Sequence, residues 1–123
     1  MKRYTETHII GGHAPRPLYW LGSSRFDLRC FPDRARRLAG LQLRRVQLGL
    51  LPSDWKPLSV VGHGAREIRI HTGTEQRVVY ITTFPEGVYV VHAFQKRTRK
   101  TSSRDIEICR ERLKELIRCR EQE

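Results

Sequence analysis

Between residues 66 and 94 the hydrophobic pattern alternates, turns and resumes twice, and this fixes the kind of fold available. Ile68 and Ile70 alternate with Glu67, Arg69 and His71, the period-two pattern of a half-buried strand. Thr72-Gly73-Thr74-Glu75 is a turn. Arg77 to Phe84 carries β-branched and aromatic residues at consecutive positions, as expected of a central strand covered on both faces. Pro85-Glu86-Gly87 turns the chain again, and Val88 to Phe94 is the partner strand. A parallel return needs a long crossover, so two short turns in succession predict an antiparallel meander.

The flanking segments read as helices. Leu18 to Leu21 is a short first strand ended by Gly22. Ser24 with Asp27 matches the start of a capping box, which predicts a short helix through Cys30. Pro32 breaks that helix and opens the next, since proline is tolerated only in a first turn. Ala35, Leu38, Leu41 and Val46 then recur at near-helical spacing, with Arg34, Arg36, Arg37, Arg44 and Arg45 between them. Gly49 and Pro52 mark the end, so residues 24–50 read as a helical hairpin or kinked helix. Residues 52–65, with Pro52, Pro57, Gly62 and Gly64, read as a loop bearing Lys56 and His63. Ser102 with Asp105 is a second capping pattern. Ile106, Cys109, Leu113, Leu116 and Ile117 follow on one face of a final amphipathic helix that ends near residue 119. Residues 1–16 lack any period and read as a flexible leader, which leaves residues 17–123 as a single domain.

Charge narrows the function. The 123 residues carry 24 Lys plus Arg against 13 Asp plus Glu, a formal charge of +11. Such a surplus repels itself unless an anionic partner is met: nucleic acid, an anionic membrane or an acidic protein. The longest apolar runs, such as Val88 to Phe94, are too short to span a bilayer. No secretory signal follows Lys2 and Arg3. Cys30, Cys109 and Cys119 are odd in number and form no CxxC pair, which fits reduced thiols and a cytoplasmic location.

The meander gathers part of that charge. The end of its first strand, the start of its second and the end of its third lie at one end of the sheet. His71, Arg77 and Lys96 are therefore expected at one edge, with Arg69 slightly inside. Simple hairpin register sets Arg77 opposite Ile70 on one side and near Phe94 on the other. Residues 95–104 leave from the same edge and contain Lys96, Arg97, Arg99, Lys100 and Arg104 without an acidic residue. Clustered cations cost stability, and a phosphodiester that gains charge in its transition state is one natural occupant. The alternative is that Arg69 and Arg77 pair with Glu67 and Glu75 as ordinary ion pairs.

No P-loop, GxSxG, HExxH or zinc-finger spacing is present, and no cofactor or metal site is expected. Carboxylates in the strand region are sparse (Glu67, Glu75 and Glu86), which argues against a two-metal nuclease. A metal-free nuclease instead uses the RNA 2′-hydroxyl as nucleophile, so its substrate is RNA. Of the five histidines, His8 and His13 fall in the leader, and His92 reads as a hydrogen-bonded core residue. His71 and His63 are the candidate general acids or bases near the basic edge.

Several segments, in order, carry a likeness. They are Tyr19-Trp20-Leu21-Gly22-Ser23-Ser24, Asp27-Leu28, Phe31-Pro32, Val46-Gln47-Leu48-Gly49, Trp55-Lys56-Pro57-Leu58, Glu67-Ile68-Arg69, Arg77-Val78-Val79-Tyr80 and His92 to Thr98 leading into Lys100-Thr101. From about Pro17 to Leu116 the chain resembles the phage-derived branch of the RelE/HigB toxin superfamily. The resemblance implies a compact RelE-like α+β fold, with an N-terminal helical hairpin packed on a small twisted antiparallel sheet and a C-terminal helix. It implies ribosome-dependent cleavage of mRNA in the ribosomal A site. It further implies a helix-turn-helix, HigA-like antitoxin, with operator DNA bound only through the toxin–antitoxin complex.

Family catalytic positions carry over in part. The strand arginines match Arg69 and Arg77, and the basic pair after the last strand matches Lys96 and Arg97. In RelE-like enzymes such residues neutralise the scissile phosphate and assist proton transfer, with His71 a further candidate here. Lys56, His63, Arg99, Lys100 and Arg104 are the expected RNA contacts. The tyrosine that stacks on a base in RelE has no match, since Thr101, Ser102 and Ser103 stand there. ParE-like toxins share the fold but act on DNA gyrase, and an inactive relic that binds only antitoxin and operator DNA is the remaining alternative.

Overall fold

The computed structural model describes residues 14–122 and places five strands in one sheet of order β1-β5-β4-β3-β2. The elements are β1 (Leu18–Trp20), α1 (Ser24–Arg29), α2 (Asp33–Gln47), β2 (Trp55–Pro57), β3 (Arg66–His71), β4 (Glu75–Ile81), β5 (Val88–Lys96) and α3 (Ser103–Glu121). Strands β2 to β5 are antiparallel neighbours, and β1 joins parallel to β5. The fold is an α+β domain in the expected order of a first strand, two helices, the meander and a C-terminal helix, but the sheet is mixed rather than wholly antiparallel, because β1 joins parallel to β5. Of the expected leader, residues 1–13 lie outside the described residues. Arg16 does not belong to a leader. Its backbone N–H donates to the Gln47 carbonyl at 2.8 Å, and its guanidinium donates to the carbonyls of Phe84 at 2.8 Å and Gly87 at 3.1 Å.

Both faces of the sheet are covered, which explains the uninterrupted apolar run in β4. On one face Leu28, Phe31, Ala35, Ala39, Leu43 and Val46 of the hairpin pack against Ile68, Ile70, Val78, Tyr80, Val88 and Val90. On the other, Cys109, Leu113 and Leu116 of α3 pack with Leu58, Val61 and Ala65 against Val79, Ile81, Val91 and Phe94. Burial of these side chains is the main favourable contribution to folding. Among the described residues no helix is long and apolar enough to cross a membrane.

Local expectations fared unevenly. Ser102 caps α3 as expected, accepting from the Asp105 N–H at 3.1 Å. Ser24 is not a cap: it is buried inside α1 and donates to the Val90 carbonyl at 3.1 Å. Ser23 precedes the helix instead and bonds the Asp27 carboxylate at 2.7 Å. Leu41 is 58% exposed, because the buried stripe of α2 runs through Ala35, Ala39 and Leu43 and two residues' rotation carries Leu41 to the far side. The segment read wholly as a loop contains β2, a three-residue edge strand where Pro57 is tolerated. Gly87 lets β1 enter beside β5, since a Cβ there would sit 2.7 Å from the Pro17 carbonyl oxygen.

Register is the most consequential correction. His71 pairs with Glu75 across Thr72-Gly73-Thr74, with Gly73 at φ 93°. Ile70 therefore faces Gln76, and Arg77 faces Arg69 rather than Ile70. On β5, Arg77 faces Phe94 as expected. A one-residue slip would reverse which face each side chain takes.

Candidate anion-binding face

Directly opposed residues share a face, so the register reads out a cluster. Lys56 is opposite Glu67, Arg69 opposite Arg77, and Glu75 opposite both His71 and Lys96. With Phe94 and Val79, all lie on the face that α3 covers. The apolar contacts of α3 end at Val79 and Phe94, and the remainder of the face is polar. Arg69, Arg77, Lys96, His71 and Lys56 thus converge from four strands.

Arg77 is buried, only 5% exposed. Its Nη1 donates to Glu75 Oε1 at 3.1 Å and to the Gln76 carbonyl at 2.9 Å. Its Nε lies 3.7 Å from Glu67 Oε1 without a hydrogen bond. Nη2 makes no hydrogen bond among the described residues and is not sealed from solvent. Glu67 is fully buried; Lys56 Nζ lies 3.7 Å from its Oε1, and Thr101 Oγ1 donates to its Oε2 at 2.9 Å. Arg69 Nε donates to Asp54 Oδ1 at 2.9 Å. Asp54 and Thr101 are the members of the cluster that sequence reasoning left without a role, and Glu67 entered it only as an ion-pair partner of the strand arginines. Glu67 carried a signal, since it shares strand parity with Arg69 and His71.

His71 is held at both ring nitrogens. Nδ1 meets Glu75 Oε1 at 2.7 Å, and Nε2 meets Asp54 Oδ2 at 2.8 Å. The bond to Glu75, then that to Asp54, raises its pKa above the ordinary 6.5. The same contacts lower both carboxylates, with the His71 bond the largest cause in each. In its protonated form the ring commits both N–H groups to carboxylates and has no free lone pair for a general base.

Lys96 is different. It is half-buried and makes no hydrogen bond or ion pair among the described residues. Its cross-strand neighbour Glu75 is already bonded to His71 and Arg77. Burial lowers the Lys96 pKa, and repulsion from Arg77, Lys56 and Arg69 lowers it further against the pull of Glu67.

The remaining expected contacts divide. Arg97, Arg99 and Lys100 are exposed on the turn after β5, where Thr98 Oγ1 donates to the Lys100 carbonyl at 2.6 Å. Arg104 is exposed in the first turn of α3, in a cleft with Gln95 and Asp105. His63 is not near the basic edge. It sits before the opposite end of β3, beside Thr83, Phe84, Arg110 and Lys114. Its loop leads into the start of β3, whereas the cluster lies toward the end of that strand.

His92 is a core residue, as expected. It is buried, stacks on Phe94 with centroids 4.9 Å apart, and meets Asp105 Oδ1 through Nε2 at 2.8 Å. Burial lowers its pKa below 6.5, outweighing the Asp105 carboxylate. The two histidines therefore give opposite pH slopes. His71, raised, stabilises fully below 6.5 and loses that contribution as pH rises through its folded value. His92, lowered, contributes above 6.5 and loses that contribution as pH falls toward its folded value. Thermal unfolding from about pH 5 to about pH 8 is expected to show His92→Gln flattening the acid-side loss and His71→Gln flattening the alkaline-side loss. An acid slope in His92→Gln as steep as in the parent would contradict the assignment.

The model of one protein family, described as phage-derived protein Gp49-like (DUF891), matches residues 26–114. The match runs from within α1 into α3 and includes every residue of the cluster. No curated protein matches the chain. The chain belongs to the Gp49-like family of phage-derived proteins, a toxin–antitoxin-related family.

Proposed function

We propose that this protein is the toxin of a type II toxin–antitoxin pair and cleaves mRNA in the ribosomal A site, without a metal, in the cytoplasm. One observation carries the chemistry: Lys96, half-buried and without a hydrogen bond or ion pair among the described residues, shares a face with Arg77, Lys56 and Arg69, and burial first, then those cations, lower its pKa. In its free-base form Lys96 takes the proton of the RNA 2′-hydroxyl. The 2′-oxygen bonds to phosphorus, the bond to the 5′-oxygen breaks, and that oxygen takes a proton from water. The products are a 2′,3′-cyclic phosphate and a 5′-hydroxyl. Arg77, through Nη2, and Arg69 and Lys56 offset the charge gathering on the phosphorane. Arg97, Arg99 and Lys100 follow the RNA backbone beyond the scissile phosphate, and Arg104 extends that surface. Family membership supports an antitoxin partner; we assign it the helix-turn-helix, HigA-like type, with operator DNA bound only through the complex.

Inducing the protein alone and mapping RNA 5′-hydroxyl ends tests this reading. Growth arrest with new ends inside translated messages is expected. Intact messages with a DNA damage response would replace it with ParE-like action on gyrase. Intact messages and normal growth would leave an inactive binder of antitoxin.

A further inference from the structure

Glu67 is met from three directions. Lys56 approaches from β2 and Arg77 from β4, each 3.7 Å from Oε1. Thr101, 34 residues along the chain and past the end of β5, donates to Oε2 at 2.9 Å. Glu67 is fully buried, so its charge acts through protein rather than water and is weakly screened. A buried carboxylate is costly unless it is paired and bonded, so its place under a cationic surface calls for a role. Thr101 follows Arg97, Arg99 and Lys100, and the Glu67 bond is a side-chain tie between that segment and the body of the sheet.

We propose that Glu67 is the positioning residue of this face: its buried carboxylate holds the Lys56 ammonium and Arg77 guanidinium together from beneath and anchors the basic segment after β5 through Thr101. The assignment rests on the ribonuclease reading for its catalytic consequence, though not for its structural one. Glu67 touches no substrate and acts through its neighbours. Without its charge, Lys56 and Arg77 are two cations facing each other across an uncharged gap. Lys96 then loses the one nearby anion that favours its charged form and does not already pair with His71. The groups facing Lys96 are Lys56 from β2, Glu67 and Arg69 from β3, and Glu75 and Arg77 from β4. Arg97, Arg99 and Lys100 continue from its own strand.

The test is nitrogen-15 NMR of the lysine ammonium groups in the full chain, with Glu67→Gln, which keeps an acceptor for Thr101. Lys96 is expected to titrate at lower pH in Glu67→Gln than in the parent. The rise of the cleavage rate with pH should move the same way, with a loss in kcat of about 10- to 100-fold. Unchanged Lys96 titration in folded Glu67→Gln would overturn the electrostatic part. Thr101→Val keeps the charge and removes only the tie. It is expected to leave Lys96 titration in place and lower the heteronuclear NOE of residues 97–100, and an unchanged NOE would overturn the anchoring part. Thr101→Val alters a half-buried loop side chain, so it keeps the proposal testable if Glu67→Gln fails to fold. A Lys96 titration that shifts in a chain whose parent cleaves no RNA would sink the ribonuclease reading and leave Glu67's role standing.

Discussion

Lys96→Met is expected to abolish growth arrest, with cleavage falling about 10²- to 10⁴-fold, the range that removal of a general base produces. Stability should hardly change. Lys96 makes no hydrogen bond or ion pair among the described residues, and its cationic neighbours repel it. Methionine keeps the length and apolar stem of the side chain and removes only the amine. The companion variant is more discriminating. Lys96→Arg keeps the positive charge but cannot shed a proton, since the guanidinium stays charged throughout the accessible pH range. An enzyme that needs only a cation here tolerates arginine; one that needs a base does not. Full activity in Lys96→Arg would end the base assignment and leave Lys96 as one more phosphate contact. Matched expression, a melting curve and mapped RNA ends for both variants decide the matter.

How far the sequence reached depended on whether a feature was set locally. The both-sided apolar run Val78 to Ile81 announced a central strand, and α1–α2 on one face and α3 on the other now account for it. Ser102 and Asp105 announced the start of α3, because a cap is made by residues three apart. Ser24 and Asp27 carried the same local pattern. It failed because the Val90 carbonyl, 66 residues away, claims the hydroxyl of Ser24. Strand β2 escaped notice since three residues ending in a proline hold no period, and only pairing with β3 makes them a strand. Convergence of Arg69, Arg77 and Lys96 was legible from the meander. Their relations were not: the three-residue turn set Arg77 against Arg69, and that turn length cannot be counted from hydrophobicity. Nor could the partners of His71 be read off. Glu75 is four residues on, but Asp54 reaches it only through the packing of β2 on β3. His63 went astray for the same reason, since proximity along the chain to a basic strand says nothing about which end it reaches.

Arg77→Ala is expected to lower unfolding free energy by about 3–5 kcal/mol, the cost of removing one member of a buried pair. A small domain holds only about 5–15 kcal/mol in all, so the variant should express poorly or unfold near growth temperature. Arg77 is 5% exposed and bonded to Glu75 and the Gln76 carbonyl, with Glu67 buried behind it. Loss of toxicity in Arg77→Ala therefore identifies nothing about catalysis by itself. Removing the opposing charge separates the two effects. In Glu67→Gln with Arg77→Met no buried charge is orphaned, Thr101 keeps an acceptor, and methionine refills much of the space. The pair should couple by about 0.5–3 kcal/mol in a denaturant double-mutant cycle, so that the double variant is more stable than the sum of its parts. It should still fail to cleave RNA, because Nη2, the Arg77 nitrogen that is not sealed from solvent and makes no hydrogen bond among the described residues, is gone. Parent-like stability in Arg77→Ala would contradict the buried pair, while cleavage by the folded double variant would remove Arg77 from the chemistry and leave it a structural arginine.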